Sequence, residues 1–216
     1  TAHHVGAIVV PTPSLDKATH RTNIAPSSRP QRNRVEGGMT DHTLPTLRLK
    51  PKMDPRKLRH GYPWVYDNEL VLDRRTKAIK PGALAVLEDS DHTPLALVAV
   101  NTGSRIVGRV LDRATVTDLS EDWFAERLSR ALALRARIYD APYYRLIHAE
   151  ADGMPGVIID RFGDLCVVQP NAAWAEVRLD QLTAALIRVT GVRHVLKSAG
   201  GRARNLEGLD NQDAVL

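Results

Sequence analysis

The hydrophobic period of the chain changes at Ser120, and this change constrains the fold more than any other feature. From Thr46 to Leu111, apolar residues fall in short runs, some of them alternating, that turn residues separate, which is typical of short strands. After Ser120, apolar residues recur at spacings of three and four, the period of an amphipathic helix. The sequence therefore predicts a small all-β unit followed by a unit that mixes helices and strands, and the fold class is α+β.

The first unit is expected to hold several extended segments and one helical turn. Asp54 can cap that turn, Pro55 suits its first position and Gly61 suits its exit. The polar link SDHT joins two of the strands tightly and predicts a hairpin. Short strands with so little helix favour a small β-barrel or sandwich. The extended segments are 46–51, 65–72, 83–89, 94–100 and 105–111.

The second unit is expected to contain two helices between its strands. Ser120 can cap a helix that runs to about Tyr139, and Gly191 can end a second helix over 175–191. The pair Gly200–Gly201 follows the last strand, and we predict no helix after it. The strands of this unit are 144–149, 156–161, 165–169 and 192–197.

Composition and charge exclude several classes of protein. The formal net charge is +5, but residues 1–38 hold five basic against two acidic residues, and residues 39–216 hold 25 against 23. Any nucleic acid would therefore bind a local patch rather than the whole surface. A single cysteine excludes an intramolecular disulfide framework and fits a reducing, cytoplasmic compartment. No apolar run approaches the roughly 18 residues that span a bilayer, so we expect no membrane partner.

The densest group of reactive side chains lies in HAEADGMPGVIIDRFGDLCVVQ, residues 148–169. Pro155–Gly156 is a turn pair ahead of a strand, and His148 with Asp152 lacks a standard metal-ligand spacing. Cys166 has apolar neighbours, which is typical of a buried thiol rather than a nucleophile. We therefore predict that this stretch is scaffold, with neither a catalytic nor a metal-binding residue. A hydrolase that uses the acidic loop is a less favoured alternative.

Six basic residues stand between positions 48 and 59 against one acid, Asp54, and aromatic residues follow at once. Cations that contact phosphates beside aromatic rings that stack on bases are typical of surfaces that bind single-stranded RNA. The alternative is a solvated basic edge with no ligand. The candidate RNA-binding residues are Arg48, Lys50, Arg56, Lys57, Arg59, His60 and Tyr62.

Two features beside this segment bear on its extent. Because Trp64 flanks Val65 in an alternating run, we expect the indole to fill the barrel core. Arg105, Arg109 and Arg113 recur along RIVGRVLDR. They either extend the basic surface across the sheet or form an ordinary polar outer face.

Three motifs in order along the chain carry a resemblance to a known family. They are HGYPWVYDNEL at 60–70, the stretch at 148–169 already quoted, and RNLEGL at 204–209. Together with RALALRARI at 130–138, they resemble the bacterial SAM-dependent large-subunit rRNA methyltransferases of the RlmI type. The resemblance covers residues 46–210.

This resemblance implies a domain organisation. Residues 1–45 lack a lasting period and would form a disordered tail. Residues 46–118 would be a PUA domain that binds RNA, residues 119–210 an α/β linker domain, and residues 211–216 the start of the methyltransferase domain.

The resemblance also implies an activity for the family. Its members make 5-methylcytosine in rRNA, with SAM as the methyl donor and a cysteine that adds to C6 of the base. Since no G-x-G occurs in the sequence, we expect the SAM-binding domain to be absent from this chain, so that Cys166 does not inherit the catalytic role. We expect rRNA as partner and no cofactor in the chain itself. A stand-alone PUA-type RNA-binding adaptor is the alternative, and a homodimer is left open.

Overall fold

The computed structural model of the protein describes residues 44–113 and 118–216, so most of the predicted tail at 1–45 lies outside the described residues. Within this part of the chain, no helix is both long and apolar enough to cross a membrane. Single turns of 3-10 helix cover Asp67–Glu69 and Ala149–Asp152. The α-helices are α1 (Arg56–Arg59), α2 (Arg74–Lys77), α3 (Glu121–Arg135), α4 (Ala173–Val177), α5 (Leu179–Thr190) and α6 (Arg202–Glu207).

The first sheet has five strands in the order β1-β3-β4-β5-β2, in which only β1 and β3 are parallel. The sheet curls until its two edges meet. There the amide of Lys50 donates to the carbonyl of Glu69 at 2.8 Å, and that of Val71 to Arg48 at 2.9 Å. The strands are β1 (Thr46–Arg48), β2 (Trp64–Tyr66), β3 (Ala83–Glu88), β4 (Pro94–Val100) and β5 (Ile106–Asp112).

The second sheet also has five strands, in the order β10-β9-β8-β7-β6. Only β8 and β9 are parallel, and α4 and α5 form the crossover that a parallel pair requires. Helices α3 and α5 pack together and supply apolar side chains to the core on one face of this sheet. The strands are β6 (Tyr143–His148), β7 (Val157–Phe162), β8 (Leu165–Pro170), β9 (His194–Lys197) and β10 (Ala214–Val215).

Strand β4 contributes to two hydrophobic cores at once. Val98 and Val100 belong to the core inside the curled sheet, while Leu97 and Ala99 face a second core that contains Trp174. Burial on both faces explains why PLALVAV is a continuous apolar run instead of an alternating one. The α+β class is therefore confirmed, and its two sheets share packing through this strand.

Two local predictions are confirmed in detail. Strands β3 and β4 form the predicted antiparallel hairpin. Ser120 caps α3, and its side-chain oxygen accepts a hydrogen bond from the amide of Trp123 at 3.3 Å. The helix stops at Arg135, a few residues before the predicted end at Tyr139.

Two other predictions were wrong because of long-range or side-chain contacts. The segment 65–72 is not extended throughout, since the Glu69 carboxylate turns back to accept from the amide of Tyr66 at 2.9 Å. The helix predicted over 175–191 is broken at Arg178, where φ is −117°. The guanidinium of Arg178 reaches across to the carbonyl of Gly82 at 2.9 Å.

Four acidic side chains in the stretch at 148–169 form ion pairs with arginines from other parts of the chain. Asp152 and Asp160 each receive two hydrogen bonds from one guanidinium, at 2.7–2.9 Å and 2.9–3.1 Å respectively. Bidentate pairing of this kind fixes both partners in place. Within the described ranges, no group of three or more His, Cys, Asp or Glu residues could hold a metal ion. The pairs are Glu150 with Arg109, Asp152 with Arg135, Asp160 with Arg145 and Asp164 with Arg193.

Cys166 lies in β8 and is fully buried, so the prediction of a core thiol is confirmed. Burial raises the pKa of the Cys166 thiol from 9.0 to about 11, because a thiolate would lose its hydration there. A protonated, buried thiol is a poor nucleophile.

The thiol of Cys166 should therefore resist alkylation in the folded protein and react quickly once the protein is unfolded. The free energy of unfolding should also fall, relative to a Cys166→Ala variant, as pH rises from about 9 to about 11, because only the unfolded thiol ionises in that range. Iodoacetamide labelling and urea unfolding at several pH values measure both effects. Rapid labelling of the native protein at neutral pH would contradict burial.

Candidate nucleic-acid interface

Helix α1 presents its cations to solvent because its one apolar side chain points inward. Leu58 is buried in the core of the curled sheet. Asp54 accepts a hydrogen bond from the amide of Arg56 at 2.8 Å, but the helix begins one residue later than predicted, with Pro55 rather than Asp54 at the N-cap. The side chains of Arg56 and Arg59 are 80% and 57% exposed, and their nearest acidic oxygens are 4.0 Å away. Both guanidinium groups can therefore reach a phosphate.

An aromatic row, made of Tyr62, Trp64 and Tyr66, runs along the outer side of β2. The ring centroids of Tyr62 and Trp64 are 6.1 Å apart and those of Trp64 and Tyr66 are 6.5 Å apart, both in edge-to-face geometry. The prediction that Trp64 fills the core was wrong. Val65 is the residue that enters the core, and the two-residue period of a strand puts Trp64 on the opposite side, where it is half-buried.

Glu69 contacts both α1 and the segment that follows β1. Its buried carboxylate pairs with the ammonium of Lys57, and its carbonyl accepts from the amide of Lys50. The ammonium of Lys57 also lies 4.9 Å from the ring centroid of Tyr62. The structure thus brings the basic segment and the aromatic row together around one carboxylate.

The remaining predicted RNA-binding residues differ in whether their side chains already contact other groups of the protein. Arg48 lies 3.8 Å from Glu88, and the ammonium of Lys50 donates to the carbonyl of Asn68 at 2.9 Å. His60 is exposed, and its imidazole makes no hydrogen bond or ion pair within the described part of the chain.

Of the three arginines on β5 and its flanks, only two remain at the surface. Arg105 and Arg113 are exposed. Arg109 turns inward, with its side chain 12% exposed, and pairs with Glu207 at 2.8 Å and Glu150 at 3.6 Å. Arg109 therefore fits neither alternative: it belongs to a buried ion-pair network.

Glu207 is the centre of that network, and sequence reasoning missed it. Its carboxylate accepts from Arg109, from the side-chain amide of Asn101 at 2.9 Å and from the backbone amide of Ala173 at 3.3 Å. Asn101 and Arg109 belong to the first sheet and its loop, whereas Ala173 opens α4. One carboxylate thus joins the first sheet to the second unit.

Arg204, three residues earlier on the same buried face of α6, binds a different set of partners. It is fully buried and donates to the carbonyls of Pro170 at 2.6 Å and Asp210 at 2.8 Å, and to Glu176 at 2.8 Å. The prediction of no helix after Gly200–Gly201 was wrong. Six residues are too few to form a stable helix alone, but tertiary ion pairs hold them in helical conformation.

Known proteins match this chain both in a domain family and in overall fold. Residues 47–113 match the family described as PUA-like domain, so the first sheet and its basic and aromatic segment form a PUA-like domain. The fold of the chain is shared with solved methyltransferases. A putative SAM-dependent methyltransferase from Streptococcus mutans matches 80% of this chain and 43% of its own, at 16% identity and a TM-score of 0.64. A putative methyltransferase solved with SAH matches 72% of this chain and 40% of its own, at 16% identity and a TM-score of 0.60.

Two curated relatives of known name match more than half of this chain. A ribosomal RNA large subunit methyltransferase of Deinococcus radiodurans is 35% identical over 141 residues, 61% of this chain and 34% of that protein. The ribosomal RNA large subunit methyltransferase I of Alteromonas mediterranea is 30% identical over 171 residues, 78% of this chain and 42% of that protein. The resemblance seen in the motifs is confirmed: the chain is homologous to the large-subunit rRNA methyltransferases, and its match spans 34–42% of the length of these two relatives.

The Glu207 network leads to a stability prediction. Glu207→Gln removes the charge that faces Arg109 and should lower the free energy of unfolding by about 3–5 kcal/mol, the usual cost of breaking a buried pair. Urea unfolding measures the change.

Glu126→Gln is the matched control, because Glu126 forms an exposed pair with Arg130 and both side chains are about two-thirds exposed. Its loss should cost less than about 1 kcal/mol. Equal effects of the two substitutions would show that Glu207 does not hold the two sheets together.

Proposed function

We propose that this chain is the RNA-recognising part of a SAM-dependent methyltransferase that methylates carbon 5 of a cytosine in large-subunit rRNA. The names of the homologues and the PUA-like domain support the substrate class. The observation that carries RNA recognition is the placement of exposed cations on α1 directly beside the aromatic row.

The chemistry of this surface suits single-stranded RNA. The guanidinium groups of Arg56 and Arg59 are solvent-exposed and can pair with phosphates, while Tyr62 offers an exposed ring for stacking. Lys57 contributes less, because Glu69 already neutralises it. We therefore assign the phosphate contacts to the exposed cations of the segment, with Lys52 added and Lys57 in a positioning role.

The described residues do not fit SAM. A Rossmann-type fold holds an adenosine-containing ligand where a strand enters a helix through a glycine-rich turn. Here Gly200–Gly201 leads from β9 into a helix of six residues, and Arg204 and Glu207 of that helix are already engaged in ion pairs. We propose that SAM and the catalytic cysteine belong to the part of the protein that corresponds to the unmatched length of the relatives.

This chain should accordingly bind no SAM at micromolar concentration. Calorimetric titration of the 216-residue protein with SAM measures this, and the neighbour that was solved with SAH is the positive control. One-site binding to this chain would overturn the assignment of the cofactor to the rest of the protein.

The salt dependence of RNA affinity tests the surface. A triple variant, Lys52→Gln, Arg56→Gln and Arg59→Gln, should weaken binding to all single-stranded RNA sequences alike. It should also reduce the slope of log affinity against log salt by about 0.7 for each phosphate that the variant no longer binds. Fluorescence anisotropy of a labelled RNA between low and high salt provides both values.

A second triple variant controls for net charge. Arg137→Gln, Arg188→Gln and Arg193→Gln removes three exposed arginines outside the PUA-like domain, two of which sit in surface ion pairs. It should leave the salt slope nearly unchanged. If both triple variants alter the slope equally, the RNA responds to overall charge and the proposed surface is wrong. Thermal unfolding of each variant confirms that it folds.

A further inference from the structure

A largely apolar groove of about 420 Å³ lies between the β2–β5 edge of the first sheet and the second sheet. Its walls include Trp64 and Ile106 from the first sheet, Ile158 from β7 and Leu206 from α6. This volume falls in the range of pockets that hold a small molecule or one nucleotide. Leu206 leaves a large apolar side chain at the surface here, 61% exposed.

Trp64 forms a fixed platform in this groove. Its indole nitrogen donates to Glu150 at 2.9 Å, and Tyr62 and Tyr66 contact it edge-to-face from both neighbours of the row. A ring held at its edge and by its neighbours loses little entropy when a base stacks on it. Base–aromatic stacking is a general means of binding unpaired nucleotides.

The polar groups of the groove favour a ligand with a phosphate. Three charged residues line it, and two of them, Arg109 and Glu207, neutralise each other at 2.8 Å. The third, Arg105, is exposed and has no ion pair with any described residue. Asn171 also lines the groove, and its side-chain amide makes no hydrogen bond to the described residues, so it can bind the edge of a base.

We propose that this groove binds one unstacked nucleotide of single-stranded RNA, with its base on Trp64, its phosphate on Arg105 and its base edge on Asn171. The proposal rests on the proposed RNA-binding function and deepens it. The exposed cations of α1 hold the strand by its phosphates, and the groove takes one base out of the stack. An apolar peptide would use Leu206 and Ile158 but would leave Arg105 and Asn171 without partners.

Tryptophan fluorescence gives a direct readout of occupancy. Trp123 and Trp174 are buried, at 7% and 1% exposure, so a ligand in the groove should quench mainly Trp64. Titration with a short single-stranded RNA and with each nucleoside monophosphate should quench the wild-type protein. The Trp64→Leu variant should lose that quenching.

A filling substitution tests the groove while leaving the side chains that would bind the nucleotide in place. Ala203→Phe places a ring into the groove from the exposed side of α6, and Ala133→Phe on α3 is the matched control outside it. Ala203→Phe and Trp64→Leu should each lower RNA affinity about 5- to 150-fold, the range for loss of one base–aromatic stack. Neither should change the salt slope, whereas Arg105→Gln should reduce it by about 0.7.

The outcomes separate this proposal from the proposed function. If RNA binds with the wild-type affinity to Ala203→Phe and Trp64 is not quenched, the nucleotide pocket is wrong, the RNA-binding surface on α1 stands, and the groove is left to a protein contact. If the wild-type protein binds no single-stranded RNA at all, both proposals fail. Unfolding curves for each variant exclude loss of fold, and Ala203→Phe keeps the test decisive if Trp64→Leu does not fold.

Discussion

The buried carboxylate of Glu207 is the contact on which the arrangement of the two sheets depends. It receives the guanidinium of Arg109 from β5, the amide of Asn101 from the loop after β4 and the backbone amide of Ala173 from the start of α4. A buried charge is tolerated only when its oxygens are satisfied, and here each partner comes from a different element. The groove beside Trp64 depends on the same contacts, because Arg109 and Glu207 line it and Arg109 also pairs with Glu150.

The RNLEGL motif can now be understood in physical terms. Arg204 and Glu207 are three residues apart, and both are buried. Arg204 binds the second sheet and helix α4, whereas Glu207 binds mainly the first sheet. Gly208 ends the helix with φ at +73°, a conformation that suits glycine. The motif therefore joins the two units through two buried side chains.

Much of the fold could be predicted from the sequence, because local signals dominate where they agree with packing. The hairpin of β3 and β4, the Ser120 cap and the burial of Cys166 follow from alternation, capping chemistry and apolar surroundings. The orientation of Trp64 could not be predicted, since it depends on which neighbour enters the core. Helix α6 was missed because its stability comes from ion pairs with residues far away in sequence. The sequence places the cations beside the aromatic residues, but only the structure shows that Glu69 neutralises Lys57.

Strand β4 has a consequence for how this architecture can be inherited. Its alternate residues serve two cores, with Leu97 and Ala99 on the side that faces Trp174. A PUA-like domain transplanted from this chain into another protein would carry that apolar face with it into water. Sequence comparison thus identifies the domain as a module, although its packing depends on the second unit. A recombination event that moved the domain alone would also need to bury the exposed apolar side of β4 against other residues.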